Sequence, residues 1–454
     1  MTDSAGNCLG GIYSFKPLTF VAIGGAGEGH NYNDDDLHQH RQWPRPRSGH
    51  RMVSTDTDCY VFGGYNPNLD SDDEDMIADD HLWRRSRPLF RELWRYSYLT
   101  ASWSRVEPTG GRPAPRYVAS HCATLVGQTY MFVYGGTGYP FGHTSSNKLY
   151  AYDLAVNRWQ SVAAVGNKVQ DNSHIDCPQP LYGQALTVDQ RNNSLYVCGG
   201  TTGFDYKIDV HRFDLSTRRW YCLYRKPGHK VGDFPVERYR HEIVHYSGRL
   251  YVIGGGTSEE CYSLSMIPVF DIATGKWTEV QTKCDLNVMN EQLSGFPEAR
   301  RCHGCVRQLF TDNNSDADND NNNCIVYVIA GIGDNNNVFD DVWRLDVRQL
   351  QWQLMSCRLP RRLYFHSASV SPDGRLSVFG GVVDANHTER TNELLTVWLR
   401  IPSLKTISLE AICHYLRRSQ PQSRGTTTGA AIAVVVDDTY IRQFLNQLGI
   451  HISH

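Results

Sequence analysis

Short apolar runs rich in Tyr, Phe, Val and Ile recur along the chain, and five of them end on two glycines. These are CYVFGG (Gly63, Gly64), MFVYGG (Gly135, Gly136), LYVCGG (Gly199, Gly200), LYVIGG (Gly254, Gly255) and LSVFGG (Gly380, Gly381), while VYVIAG carries Ala330 and Gly331 in the same place. Runs this short, β-branched and aromatic, predict buried strands. The glycine pair predicts a sharp turn where side chains would collide. A second strand follows each, as in LYAYDL (149–154), VHRFDL (210–215), PVFDI (268–272) and VWRLDV (342–347). A tryptophan then closes the unit: Trp103, Trp159, Trp220, Trp277 and Trp352, in four units 20 to 23 residues after the second glycine and in the first 39 after it. An indole on a third strand can fill the gap between neighbouring sheets. Ahead of most runs stands a polar turn with Arg and then His: Arg47/His50, Arg116/His121, Arg238/His241, Arg300/His303 and Arg362/His366. Each unit reads as one antiparallel sheet of about four strands, which alone could not bury both faces, so the units must stack radially.

Glycine pair, aromatic strand and spaced Trp recurring together resemble the kelch repeat, and six copies imply an all-β, six-bladed kelch β-propeller over residues 44–402. A β-sandwich with many glycine turns is the weaker alternative, and the Trp-Asp dipeptide of WD repeats is absent. The sixth unit lacks its Trp strand: after ELLTVWLRI (393–401) the pattern turns helical. The segment 1–43 is therefore expected to donate a closing strand from LTFVAI (18–23). Residues 403–454 form a helical extension.

Composition then narrows the function. In 454 residues, 45 Lys+Arg against 48 Asp+Glu give a net charge of −3, which argues against a nucleic-acid partner. The 39 Gly and 25 Tyr are what repeated turns and strand aromatics demand. No apolar run reaches the length of a spanning helix, so no membrane association is expected. Thirteen scattered cysteines, several within strands (Cys59, Cys122, Cys198, Cys302), fit a reducing, cytoplasmic and nuclear compartment. The stretches 70–80 (DSDDEDMIADD) and 311–323 (TDNNSDADNDNNN) read as disordered insertions, the second lacking the Gly and closing Glu of a calcium loop. Cys302–Cys305 is a CxxC without a second ligand pair, and Gly24–Gly29 lacks the Lys-Ser/Thr of a phosphate loop. No metal, cofactor or catalytic set is expected, so the chain reads as a non-enzyme.

The blade-opening loops carry the candidate chemistry. Arg47, Arg116, Arg238, Arg240, Arg300 and Arg301, with Tyr117, Tyr182, Tyr239 and Tyr364, occupy equivalent positions of successive blades, which in a propeller converge on one face. Guanidinium groups among aromatics suit a carboxylate or phosphate, though the same Arg and His could serve only to hold the blade turn. In the extension, Leu404, Ser408 and Ile412 fall at i, i+4 and i+8 behind Ser403, one stripe of a capped helix. That stripe resembles an elongin-binding box. A propeller followed directly by such a box resembles the kelch domain-containing substrate receptors of cullin-2 ubiquitin ligases, and the segments RSGHRMVSTDTDCYVFGGYNP, PLFRELWRY, ERYRHEI, ARRCHGC and FGGVVDANHTERT resemble the kelch domain-containing protein 10 family. The resemblance implies a non-catalytic receptor that binds substrate C-termini on the propeller face and docks elongin B/C and cullin-2 through Ser403, Leu404, Ser408 and Ile412. It also implies a link to stress-kinase signalling through a protein phosphatase. A scaffold in such signalling or on the cytoskeleton, without a ligase role, is the alternative. The Leu-Pro element that usually completes the cullin-2 contact is not evident, and 437–449 (DDTYIRQFLNQLG) is a candidate helix in its stead.

Overall fold

A computed structural model of the chain describes residues 15–23, 43–68, 89–110, 114–116, 118–162, 176–228, 234–289, 294–310, 323–418 and 441. The acidic stretch 70–80, the Asn/Asp stretch up to 322, the Gly-rich stretch 24–29 and the tail after 418, Ile441 excepted, lie outside them.

Six four-stranded antiparallel sheets are arranged as blades. Blade 1 runs from its inner strand Arg51–Ser54 through Asp58–Phe62 and Leu93–Ser97 to the outer Ser102–Val106. The inner strands of blades 2 to 6 are Cys122–Val126, Ala185–Asp189, Glu242–Tyr246, Gly304–Phe310 and Ser367–Val370. Blade 6 takes its fourth strand from the N-terminus: Val21–Ile23 pairs antiparallel with Leu394–Thr396, and Leu18 N–H donates to Trp398 O. A chain-end strand seated beside the last blade removes the open edge that an unclosed ring would leave.

The Trp positions seal the seams between blades. Trp159 lies 4.8 Å from Phe62 of blade 1, Trp220 5.4 Å from Tyr134 of blade 2, and Trp103 5.1 Å from Phe379 of blade 6, centroid to centroid. Each indole thus packs on the aromatic just ahead of the glycine pair of the preceding blade.

The glycine pair works on both sides of a seam, as blade 4 shows. A Cβ on Gly254 would stand 2.8 Å from His303 Cε1 of blade 5, and one on Gly255 would stand 2.5 Å from His241 Cβ of its own blade. Both have positive φ, +59° and +83°. One buried side chain per blade therefore sits wedged against two backbones: His50, His121, Gln184, His241, His303 and His366. Burial drives the pKa of His121, His241 and His366 down to about 3 and those of His50 and His303 well below the ordinary value, so all five imidazoles are neutral.

Helix α1 (Leu404–Arg418) follows blade 6 directly. Ser403 Oγ accepts the Thr406 N–H at 3.1 Å, the N-cap bond that starts it. Thr406 Oγ1 bonds Asp373 Oδ2 at 2.7 Å, Glu410 pairs with Arg375, and Cys413 packs with Leu99 and Ile441. Asp373 and Arg375 bracket a turn of blade 6 and Leu99 lies in a turn of blade 1, so the helix straddles the closing seam on the face opposite the blade-opening loops.

Candidate functional site at the axial mouth

The six blade-opening loops share one backbone device. Gly49, Ser120, Gly183, Arg240, Cys302 and Phe365 all take left-handed conformations, with φ from +54° to +65°. The N–H of each donates to the carbonyl of its counterpart in the preceding blade: Ser120 to Gly49, Gly183 to Ser120, Arg240 to Gly183, Cys302 to Arg240, Phe365 to Cys302 and Gly49 to Phe365, at 2.8–3.2 Å. The result is a closed ring of six hydrogen bonds around the axis. Just inside it, Arg51 of blade 1 reaches Glu242 of the opposite blade 4 at 2.7 Å, and its Nε donates to His121 O. An ion pair between opposite blades therefore crosses the axis next to the ring.

The expected ring of arginines divides sharply. Arg47, Arg238 and Arg300 are 0, 4 and 0% exposed. In each, Nη1 donates at 3.1 Å to a carbonyl of the glycine-pair turn, Gly63, Gly254 or Ala330. Each guanidinium also lies over an aromatic ring, Phe90, Tyr262 or Phe339, at 4.0–4.5 Å. Arg47 is paired with Glu92 at 2.6 Å and Arg300 with Asp341 at 2.5 Å, and these carboxylates accept from the indoles of Trp94 and Trp343. Among the described residues Arg238 has no such carboxylate, and burial lowers its pKa to about 10. These three are corrected from ligand contacts to parts of the blade: a fully buried guanidinium already bonded inside its sheet cannot face a ligand. Arg116 is exposed but stands two residues ahead of the equivalent slot, which Val118 fills. Tyr364 is also buried, its hydroxyl donating to Asp384 O and contacting His387.

Arg240, two residues after the buried Arg238, is different. The left-handed backbone turns it toward the mouth, where its guanidinium lies 4.5 Å from the Phe365 ring, 5.5 Å from Tyr239 and 5.9 Å from Tyr182. Its Nε is buried without a hydrogen-bond partner. Tyr206 packs against Tyr239 in a tilted arrangement, centroids 5.1 Å apart. On the rim, half-buried Arg301 donates to Thr257 O, and Arg390 donates to Ser48 Oγ at 3.1 Å beside Tyr65. Phe365 and Arg390 were not among the expected site residues; Tyr239 was, and Tyr117, also expected, lies outside the described residues. Nothing in a residue type alone marks the left-handed position, although every one stands directly before the buried His or Gln of its blade.

The described residues hold no group of three or more His, Cys, Asp or Glu fit for a metal. Cys302 is buried on the ring with its pKa pushed up to about 11, a poor nucleophile.

On the opposite face, α1 presents Leu404, 79% exposed, with Ser408 exposed and Ile412 half-buried beside Leu409 against Cys413. The stripe thus begins in solvent and ends against the propeller.

Six blades of this construction define a kelch-type β-propeller, an architecture that typically serves as scaffold or adaptor. The Attractin/LZTR1 beta-propeller family matches over residues 29–283 and 195–405. The chain is 39% identical over 380 residues to Kelch domain-containing protein 10 of Homo sapiens, covering 83% of this chain and 75% of that protein. It is 38% identical over 379 residues to the Xenopus tropicalis protein of that name (84% and 82%), and 33% identical over 430 residues to the Kelch domain-containing protein 10 homolog of Drosophila melanogaster (93% and 64%). The chain belongs to the kelch domain-containing protein 10 family.

Proposed function

We propose that the chain is a non-catalytic substrate receptor of an elongin/cullin-2 ubiquitin ligase, holding the C-terminal end of a substrate protein at the axial mouth. The observation that carries this reading is the half-buried Arg240 guanidinium, set among Tyr182, Tyr239 and Phe365 above a ring closed by its own backbone. An ion pair crossing the axis beside the mouth favours a chain end over a segment running through it. A terminal carboxylate is the group that a guanidinium recognises best, at about 1.5–3 kcal/mol per charge-assisted hydrogen bond. Arg301 and Arg390 on the rim add positive field around the same end. The exposed Leu404 and Ser408 on the opposite face leave the adaptor stripe clear of the mouth. The family resemblance to ligase receptors supports the pairing of these two faces.

The test is a peptide ending in Gly, offered to the full chain with a free carboxylate and as the carboxamide, against wild type and Arg240→Glu. The carboxylate form should bind and the amide should lose at least about tenfold, the free energy of one charge-assisted bond. Arg240→Glu should lose the discrimination. In parallel, elongin B/C should co-purify with wild type and not with Leu404→Asp/Ser408→Asp. Equal binding of acid and amide would remove the mouth assignment, and unchanged elongin recovery would remove the adaptor assignment.

A further inference from the structure

Blades 1 and 5 build the same three-part unit on their third strands: a buried Arg (Arg47, Arg300), a carboxylate (Glu92, Asp341) and a Trp two residues on (Trp94, Trp343). Strand register aligns the other blades with it. The strand-end residues Ser97, Asp346 and Asp214 pair with Asp58, Ile325 and Ser194, and counting back five and three gives Glu92/Trp94, Asp341/Trp343 and, in blade 3, Asp209/His211. Blade 3 therefore keeps the carboxylate but replaces Trp by His. Its buried Arg slot, three residues ahead of the axial His or Gln, holds Leu181. A cavity of about 460 Å³ opens beside this altered unit, and its lining includes Asp209, His211 and Glu237 together with Arg225, Lys207 and Lys226.

Two observations show that the cavity faces an under-compensated site. His211 is 4% exposed, and among the described residues its buried Nε2 has no hydrogen-bond partner. Asp209 accepts the Lys226 N–H at 3.1 Å, but its nearest guanidinium, Arg225, stands at 3.8 Å, and burial raises its pKa despite that neighbour. Burial also holds His211 at a pKa of about 4, so its imidazole is neutral and can present an acceptor. The cavity's own amines are committed elsewhere: Lys226 Nζ bonds Glu237 at 2.8 Å and Pro235 O at 3.0 Å, and Lys207 lies 4.0 Å from Asp205.

We propose that this cavity on the flank of blade 3 is a binding site for a guanidinium group, with Asp209 as its carboxylate and His211 as a second acceptor, standing in for the arginine that blades 1 and 5 supply from within. The guanidinium can belong to a free small molecule or to an arginine side chain of a partner protein. The assignment is independent of the axial mouth.

The experiment titrates the full chain with L-arginine methyl ester and with an acetylated, amidated Gly-Arg-Gly peptide, by calorimetry, using sodium acetate as the anionic control. Wild type should bind the ester, and Asp209→Asn should weaken it at least about tenfold. Leu181→Arg, which restores the arginine from within, should abolish binding and raise the melting temperature. This rise also shows that the variant is folded. Binding of both probes assigns the site to a partner's side chain, and binding of the ester alone assigns it to a free cation; either result supports the proposal. Absence of binding by both, acetate binding in their place, or unchanged affinity in Asp209→Asn overturns it.

Discussion

The wedge of five neutral imidazoles makes this propeller sensitive to mild acid, and the size of the effect can be worked out. His50, His121, His241, His303 and His366 are buried, with pKa values driven far below the unfolded value of about 6.5. A group whose folded pKa is depressed in this way takes up its proton only on unfolding. Stability is therefore complete above about pH 6.5 and falls as pH drops from there toward the folded values near 3. At about pH 5.5 each histidine withdraws RT ln(1 + 10), or about 1.4 kcal/mol, so the five withdraw about 7 kcal/mol. That is a large share of a typical stability of about 5–15 kcal/mol. Carboxylates titrate lower, so the window from about pH 6.5 to 5 belongs mainly to these histidines. His211, at a pKa of about 4, adds to the same slope. The assay is urea unfolding followed by tryptophan fluorescence at about pH 7.5, 6.5 and 5.5. Blade 3 supplies the control, because Gln184 occupies the histidine slot there, fully buried. His241→Gln should therefore fold, and its deficit relative to wild type should shrink by about 1.4 kcal/mol between about pH 7.5 and 5.5. Equal wild-type stability at the two ends would refute the reasoning, as would a variant with an unreduced slope.

Three further outcomes follow from the seams. Gly254→Ala puts a Cβ 2.7 Å from Arg300 O at a φ of +59°, and should cost at least about 1–3 kcal/mol in denaturant unfolding. Arg300→Leu leaves the partly buried Asp341 without its cation and should cost about 3 kcal/mol, whereas Arg300→Leu/Asp341→Leu should recover much of that loss in the same assay. Removing residues 1–25 takes away the strand that pairs with Leu394–Thr396, and should lower the melting temperature in scanning calorimetry; an unchanged value would show that blade 6 closes without it.

The blades were legible because their signals are steric. A glycine pair next to an aromatic run, with an indole about twenty residues on, records contacts that larger side chains would crowd, and even the missing strand of blade 6 could be traced to the segment 18–23. The mouth was only partly legible. Arg238 and Arg240 are the same residue type two positions apart, yet one is sealed in its blade and the other turned outward by a left-handed backbone. Side-chain chemistry could not separate them, because the difference is made by φ. Arg116 and Arg362 likewise pass for the buried arginine by composition, and only the register shows Val118 and Leu363 in that slot. The substitutions at Leu181, Asp209 and His211 carried no signal by themselves, since their meaning depends on comparison with blades 1 and 5.

The closed ring around the axis is made of main-chain N–H and C=O groups alone. Its members are Gly, Ser, Gly, Arg, Cys and Phe, residues with no chemistry in common. Any side chain that tolerates the left-handed turn can stand there without breaking a bond that closes the propeller. The hydrogen bonds of the ring are thus indifferent to which side chains these six positions carry. A propeller of this design can vary its rim one blade at a time while the bonds that close it stay the same.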